Sequence, residues 1–93
     1  MVATLTLLLR LPQCHSLKEK RGWLQPLLHQ LRRKFNLSIA EMDFQDVHQQ
    51  ALITCAMVGN DSVHLRAAME NVRRWVQGNL SEGSVVDEKI EIL

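Results

Sequence analysis

The sequence predicts an α+β sandwich in which two helices cover one face of a four-stranded antiparallel sheet. Four segments have the apolar patterns of strands, and two have apolar residues at the 3.6-residue spacing of an amphipathic helix. They follow one another as strand, helix, strand, strand, helix, strand, which is the ferredoxin-like βαββαβ order. A length of 93 residues suits one small domain, so we expect residues 1–93 to form a single ferredoxin-like domain.

The first strand is predicted at residues 2–11, where leucine or alanine occupies every odd position from 3 to 11. Pro12 ends this strand because a proline cannot donate a hydrogen bond to the ladder. Ser16 is a good helix N-cap, and Glu19 three residues later completes a capping box. The apolar stripe of the first helix then consists of Leu17, Leu24, Leu28, Leu31 and Phe35.

The second strand is predicted at residues 37–45 and the third, most apolar strand at residues 50–59. The short link between them indicates a hairpin. Alternation along the second strand assigns its side chains to two faces. One face has Ala40, Met42 and Phe44, and the other has Leu37, Ile39, Glu41, Asp43 and Gln45.

The second helix is predicted to begin at Asn60 or Asp61, since either side chain can accept hydrogen bonds at an N-cap. Trp75 falls on the apolar stripe of this helix, so we expect it in the core. The last strand is predicted at residues 85–93.

The net charge of +1 conceals four blocks of alternating sign. Residues 10–35 carry seven basic and one acidic side chain, whereas residues 36–62 carry four acidic and no basic ones. Residues 63–80 then have a net charge of +2 and residues 81–93 a net charge of −3. This segregation predicts a surface that attracts an anionic partner on one side and repels it on the other.

Basic residues of the helices are the candidate nucleic-acid contacts. On a helical wheel Lys18, Arg21 and Arg32 lie opposite the leucines and span roughly 21 Å of helix, enough to follow several phosphates. A charged face that serves only solubility is the alternative. The candidate set is Lys18, Lys20, Arg21, Arg32, Arg33 and Arg73.

A polar cluster is predicted at the hairpin between the second and third strands. Right-handed crossovers place this hairpin at the same end of the sheet as the start of the first helix. Carboxylates with a histidine could bind a divalent cation or act in acid–base catalysis. The alternatives are ion pairing with the basic start of the first helix and protection of an edge strand. The cluster comprises Glu41, Asp43, Asp46 and His48.

The cysteines and the hydropathy indicate the compartment. Two cysteines 41 positions apart, without a disulfide-framework pattern, are typical of a reducing environment, so we expect a cytoplasmic protein. No apolar run approaches the roughly 20 residues of a membrane span, so we expect no membrane partner. Cys14 lies near a predicted helix start, where a thiol can become reactive, whereas Cys55 is expected in the core.

Five segments together resemble the YlxP-like family, a bacterial domain family of unknown function. The resemblance implies a ferredoxin-like fold, in agreement with the patterns above. Genes of this family often lie near genes for transcription, translation initiation and ribosome maturation, which suggests a role linked to nucleic acid or the ribosome. The segments are SLKEKR at 16–21, LRRKFNLS at 31–38, AEMDFQD at 40–46, GND at 59–61 and IEIL at 90–93.

These observations predict a small non-enzymatic protein that binds structured RNA or a ribosomal component through its basic helix face. The two central strands lack the aromatic residues of an RNA-recognition motif, and no cofactor motif or small-molecule substrate is identifiable. A small metal-dependent enzyme or regulator at the acidic hairpin is one alternative. A protein-interaction or homodimerisation module is the other, with an open sheet face formed by Thr4, Thr6, Leu8, Leu37 and Ile39.

Overall fold

The computed structural model describes all 93 residues and confirms the α+β ferredoxin-like prediction. The sheet is antiparallel throughout, with the strand order β2-β3-β1-β4. Neither helix combines the length and the hydropathy that a membrane-spanning helix needs. The elements are β1 (Val2–Arg10), α1 (Leu17–Lys34), β2 (Ser38–Asp43), β3 (Gln50–Val58), α2 (Ser62–Gly78) and β4 (Ser84–Ile92).

The core lies between the sheet and the two helices. Every odd residue of β1 is fully buried, as the alternation predicts, and Ile53 and Cys55 of the neighbouring strand β3 are buried beside them. The helices contribute the apolar stripes that the 3.6-residue spacing indicates, centred on Leu24 and Leu31 in α1 and on Met69 and Val72 in α2. This packing leaves the opposite face of the sheet without a covering layer.

Both helices begin at the capping residues that the sequence indicates. The hydroxyl of Ser16 accepts a hydrogen bond from the Glu19 amide at 3.1 Å, and the Glu19 carboxylate accepts one from the His15 amide at 3.0 Å. At α2, Asp61 accepts hydrogen bonds from the amides of Val63 and His64. These bonds satisfy amides that have no partner inside the first turn of a helix.

The prediction that Leu37 and Ile39 lie on the open face of the sheet is wrong. Ile39 pairs with Cys55 and is only 7% exposed, so it faces the helices, whereas Ala40 is exposed and Met42 is 58% exposed. Leu37 packs against the core as well. Directly opposed residues of paired strands share a face, so the burial of Cys55 places Ile39 on the inner face. Neither Leu37 nor Ile39 therefore belongs to the open sheet face.

A bulge in β2 separates two acidic residues that were expected on one face. Glu41 pairs with the buried Ile53, but the register shifts before Asp43, which pairs with Leu52. The extra residue, Met42, reverses the alternation. Glu41 consequently points toward the helices, while Asp43 lies on the side of the sheet that the helices leave open.

Candidate functional site

The side chain of Lys20 connects the start of α1 to the β2–β3 hairpin. Lys20 is only 2% exposed. Its ammonium nitrogen Nζ donates hydrogen bonds to the carbonyl oxygens of Phe44 at 2.7 Å and Val47 at 2.8 Å. The Glu41 carboxylate oxygen Oε2 lies 2.7 Å from the same Nζ. Lys20 therefore leaves the set of candidate RNA contacts, because a phosphate cannot reach its ammonium group.

Of the remaining members of the predicted hairpin cluster, Asp46 lines a small cavity together with Glu41, Lys20 and Arg21, whereas Asp43 and His48 do not. Asp43 accepts a hydrogen bond from the Phe44 amide at 2.7 Å, Asp46 is exposed and His48 is half-buried. No three His, Cys, Asp or Glu side chains of the protein come close enough together to share a metal ion. The hairpin end thus combines one buried ion pair with separate, solvated polar groups.

Two other basic candidates are engaged by neighbouring groups. Arg73 forms ion pairs with Glu70 at 3.0 Å and with Glu88 of β4 at 3.4 Å, so its charge is largely neutralised. Arg32 donates a hydrogen bond at 2.9 Å to the carbonyl of Ile39 on the edge strand β2. That bond leaves the guanidinium of Arg32 partly exposed, but it occupies one of the donors that a phosphate would use.

Four of the six predicted basic residues are exposed and have no acidic partner within 4 Å: Lys18, Arg21, Arg32 and Arg33. Because Arg32 is engaged by the Ile39 carbonyl, the freest cations among them are Lys18, Arg21 and Arg33. The structure adds Lys34, whose ammonium nitrogen lies 6.0 Å from the centre of the Phe35 ring. Lys34 was not in the predicted set, although the run of three basic residues at positions 32–34 would have indicated it from the sequence. Arg66 and Arg74 on α2 are exposed as well and widen the basic surface.

Charge is segregated between the helical layer and the rest of the molecule. The residues of α1 and α2 include nine basic and two acidic side chains. The strands and loops include the other two basic side chains, Arg10 and Lys89, and eight acidic ones. The helical layer is therefore strongly cationic in a protein whose net charge is only +1.

Both tryptophans are partly buried on the helical layer and pack against the core, so Trp75, which was expected inside the core, lies at its edge instead. The Phe35 ring contacts the Trp75 indole at a centroid distance of 6.4 Å and an angle of 80°. This contact and the apolar core cover only part of the indole, since it also lines a surface cleft. The lining residues of that cleft are Gln30, Arg33, Lys34 and Trp75.

Cys14 has the environment of a structural cysteine rather than of a nucleophile. It is 2% exposed, and burial raises the pKa of its thiol. The negative charge of Glu19 raises this pKa further, while Lys20 acts in the opposite direction. A buried, protonated thiol is a poor nucleophile, so the geometry does not support a reactive Cys14.

Comparison of the sequence with known proteins shows which family the chain belongs to. A family model described as "Protein of unknown function (DUF503)" matches residues 2–90. The chain is also 34% identical over 61 residues to the "Uncharacterized protein YlxP" of Bacillus subtilis (strain 168). That match covers 66% of this chain and 66% of the relative, just under two thirds of the relative's length. The chain belongs to the DUF503 family of unknown function, as its resemblance to YlxP-like proteins predicted.

Proposed function

We propose that this protein is a non-enzymatic binding module that contacts structured RNA, free or within a ribosomal particle, through its helical layer. The observation that carries the proposal is the segregation of charge, with nine basic and two acidic side chains on the two helices. A polyanion gains Coulomb energy on this layer and meets net negative charge on the rest of the surface. RNA is the polyanion in a reducing compartment that best matches an extended cationic layer.

Exposed cations that lack acidic partners are the expected phosphate contacts. Lys18 and Arg33 are 15 residues apart in α1, which corresponds to roughly 22 Å along the helix axis. Arg21 lies between them in the same helix, and Arg74 is exposed on the neighbouring helix. Such contacts position a nucleic acid without reading its sequence, because phosphates are the same in every sequence.

Binding to a structured RNA across a range of salt concentrations tests the proposal. We expect log K to fall linearly with log salt, with a slope of about −0.9 for each phosphate contact. The double variant Arg21→Gln/Arg33→Gln should weaken binding and reduce the magnitude of the slope by about 2. Fluorescence anisotropy of a labelled RNA measures both quantities.

A second double variant provides the matched control. Arg10→Gln/Lys89→Gln removes the same total charge, but from the strands rather than the helices. We expect it to bind RNA within about two-fold of wild type, since a cation away from the interface releases no counterions on binding. Wild-type affinity that does not change with salt, or equal losses in both variants, would contradict the proposal.

Self-association through the open sheet face is the second candidate function. On that face Leu8 lies opposite Leu52, and Val58, which pairs with Val2, is 79% exposed. A second copy of the chain would cover these apolar groups. Sedimentation velocity from micromolar to millimolar protein, compared between wild type and Leu52→Lys, distinguishes this candidate. A concentration-dependent dimer that the substitution abolishes supports it, and a monomer at every concentration rejects it.

A further inference from the structure

The cleft at Trp75 unites three kinds of side chain that recognise a nucleotide. It is a shallow depression, widely open to solvent, with a volume of about 360 Å³. The Trp75 indole supplies an aromatic surface, and the amide of Gln30 can both donate and accept hydrogen bonds. Arg33 and Lys34 supply two positive charges, and no acidic residue lines the cleft.

The indole is restrained by an aromatic neighbour. The ring of Phe35 stands nearly perpendicular to it, at an angle of 80° and a centroid distance of 6.4 Å, the geometry of a favourable edge-to-face contact. An aromatic ring held in this way can stack a base without first losing rotamer freedom. The adjacent cations come from the last turn of α1, where the helix dipole favours positive charge.

A neighbouring cleft shows which features are specific to the Trp75 site. It has a volume of about 260 Å³ and also contains a half-exposed tryptophan, Trp23. No cationic residue lines it. Gln30 borders both clefts, so the two tryptophans lie along one groove between the helices. A nucleotide, which has an aromatic base and an anionic phosphate, matches the Trp75 cleft better than the Trp23 cleft.

We propose that the Trp75 cleft holds one unpaired base of a bound RNA, stacked on the indole, while Arg33 and Lys34 contact the flanking phosphates. The inference rests on the proposed RNA-binding function and adds a preference for unpaired nucleotides over continuous duplex. Stacking on an aromatic side chain needs a base face that is free of its neighbours, and a duplex does not offer one.

Two RNA hairpins of equal length with the same compact terminal loop, one with a continuously paired stem and one with an internal loop in its stem, test this preference, since only the second adds unpaired bases. The substitution Trp75→Leu removes the aromatic surface and keeps an apolar side chain in contact with Phe35. We expect it to weaken binding to the looped hairpin about ten-fold and binding to the paired hairpin less than about two-fold. Trp23→Leu is the matched control, with both hairpins bound within about two-fold of wild type.

Indole fluorescence gives a second measurement that does not depend on the stability of the Trp75 variant. Because the chain has two tryptophans, Trp23→Phe leaves Trp75 as the sole indole. We expect single-stranded oligouridine to quench its fluorescence, since a stacked base contacts the ring. Inorganic polyphosphate of similar charge should leave the fluorescence nearly unchanged.

The outcomes separate the two proposals. Equal losses on both hairpins in Trp75→Leu, or no quenching by oligouridine, would overturn the base cleft and leave the charge-based RNA binding in place. If polyphosphate quenches as strongly as oligouridine, the base cleft is overturned as well, because a phosphate alone then accounts for the signal. Wild-type protein that binds neither hairpin in a salt-dependent way would overturn the cleft and the proposed function together.

Discussion

Lys20 has three oxygen atoms within 2.8 Å of its ammonium nitrogen. One oxygen is the carboxylate of Glu41 and two are the carbonyls of Phe44 and Val47. The Phe44 carbonyl also accepts the Val47 amide at 2.9 Å, and Phe44 itself has a left-handed backbone with φ of 63°. One buried charge on α1 therefore contacts both the edge strand β2 and the tight turn that follows it, and so fixes their positions relative to the helix.

Substitution of Lys20 should cost much more stability than substitution of its exposed neighbour. Lys20→Met leaves the Glu41 carboxylate and two carbonyls without their cation, and we expect a loss of about 3 kcal/mol in the free energy of unfolding. Lys18→Met, the matched control in the same helical turn, should change it by less than about 0.5 kcal/mol. Urea unfolding followed by circular dichroism measures both values.

The double variant Lys20→Met/Glu41→Leu examines the cause of that loss. It should recover part of the lost stability, because no carboxylate is then buried without a partner. A single Lys20→Met variant as stable as wild type would show that water solvates these oxygens equally well and that the ion pair contributes little.

At the scale of the elements, periodicity predicts most strands and helices but not the inner face of β2. The odd residues of β1 are all apolar, so only one assignment of its faces is possible. In β2 alternation places the apolar Ile39 and the polar Glu41 on the same face, and a face that carries a carboxylate is more typical of the solvent side. Glu41 can lie inside because Lys20 comes from another element to pair with it. A bulge also has no sequence signal at Met42, since neither glycine nor proline marks it.

The N-cap of α2 offers a test at the scale of one element. The Asp61 side chain accepts two amide hydrogen bonds and places negative charge at the positive end of the helix dipole. We expect Asp61→Ala to lower the free energy of unfolding by about 1 kcal/mol. Asp61→Asn, which keeps an acceptor and loses the charge, should lower it by a few tenths, about 0.3 kcal/mol.

Ser62 is the control for this comparison, since it is exposed and adjacent but makes no side-chain hydrogen bond. Ser62→Ala should leave the unfolding midpoint in urea nearly unchanged. If Asp61→Ala were equally neutral, the amides of Val63 and His64 would be satisfied by water, and the cap would not stabilise α2.

For the whole molecule, the sequence predicts which layer carries the positive charge, but not which of the basic side chains are free to contact a ligand. The basic blocks coincide with the helices, so the order of the residues alone reveals their segregation. The partners of Lys20 come from β2 and the β2–β3 hairpin, and one of the two carboxylates that pair with Arg73 comes from β4, so these contacts join segments distant in sequence. Likewise, Trp75 lies on the apolar stripe of its own helix, and only the position of α1 beside α2 shows that part of its ring lines a cleft. Long-range packing thus decides which predicted site residues can meet a ligand.

The burial of Cys55 makes the stability of the whole molecule sensitive to alkaline pH. Cys55 lies in the central strand β3, and burial raises its pKa from 9.0 to about 12. Between these values the unfolded chain loses the thiol proton while the folded protein keeps it. The unfolded state therefore binds fewer protons, and stability falls as pH rises, by about 1.4 kcal/mol per pH unit for this group. Below pH 9 the thiol is protonated in both states and contributes no pH dependence.

Urea unfolding of wild type and Cys55→Ala between these two pKa values, under reducing conditions, measures the contribution. Cys55→Ala should be less stable at neutral pH, because it leaves a small cavity beside Leu5 and Ile39. Its stability should then fall less steeply with pH than that of wild type, so the difference between the two proteins narrows as the solution becomes alkaline. All other titratable groups are common to both proteins, so their effects cancel in this difference. Parallel pH profiles would mean that the Cys55 thiol ionises as readily in the folded protein as in the unfolded chain, and that water reaches the middle of the sheet.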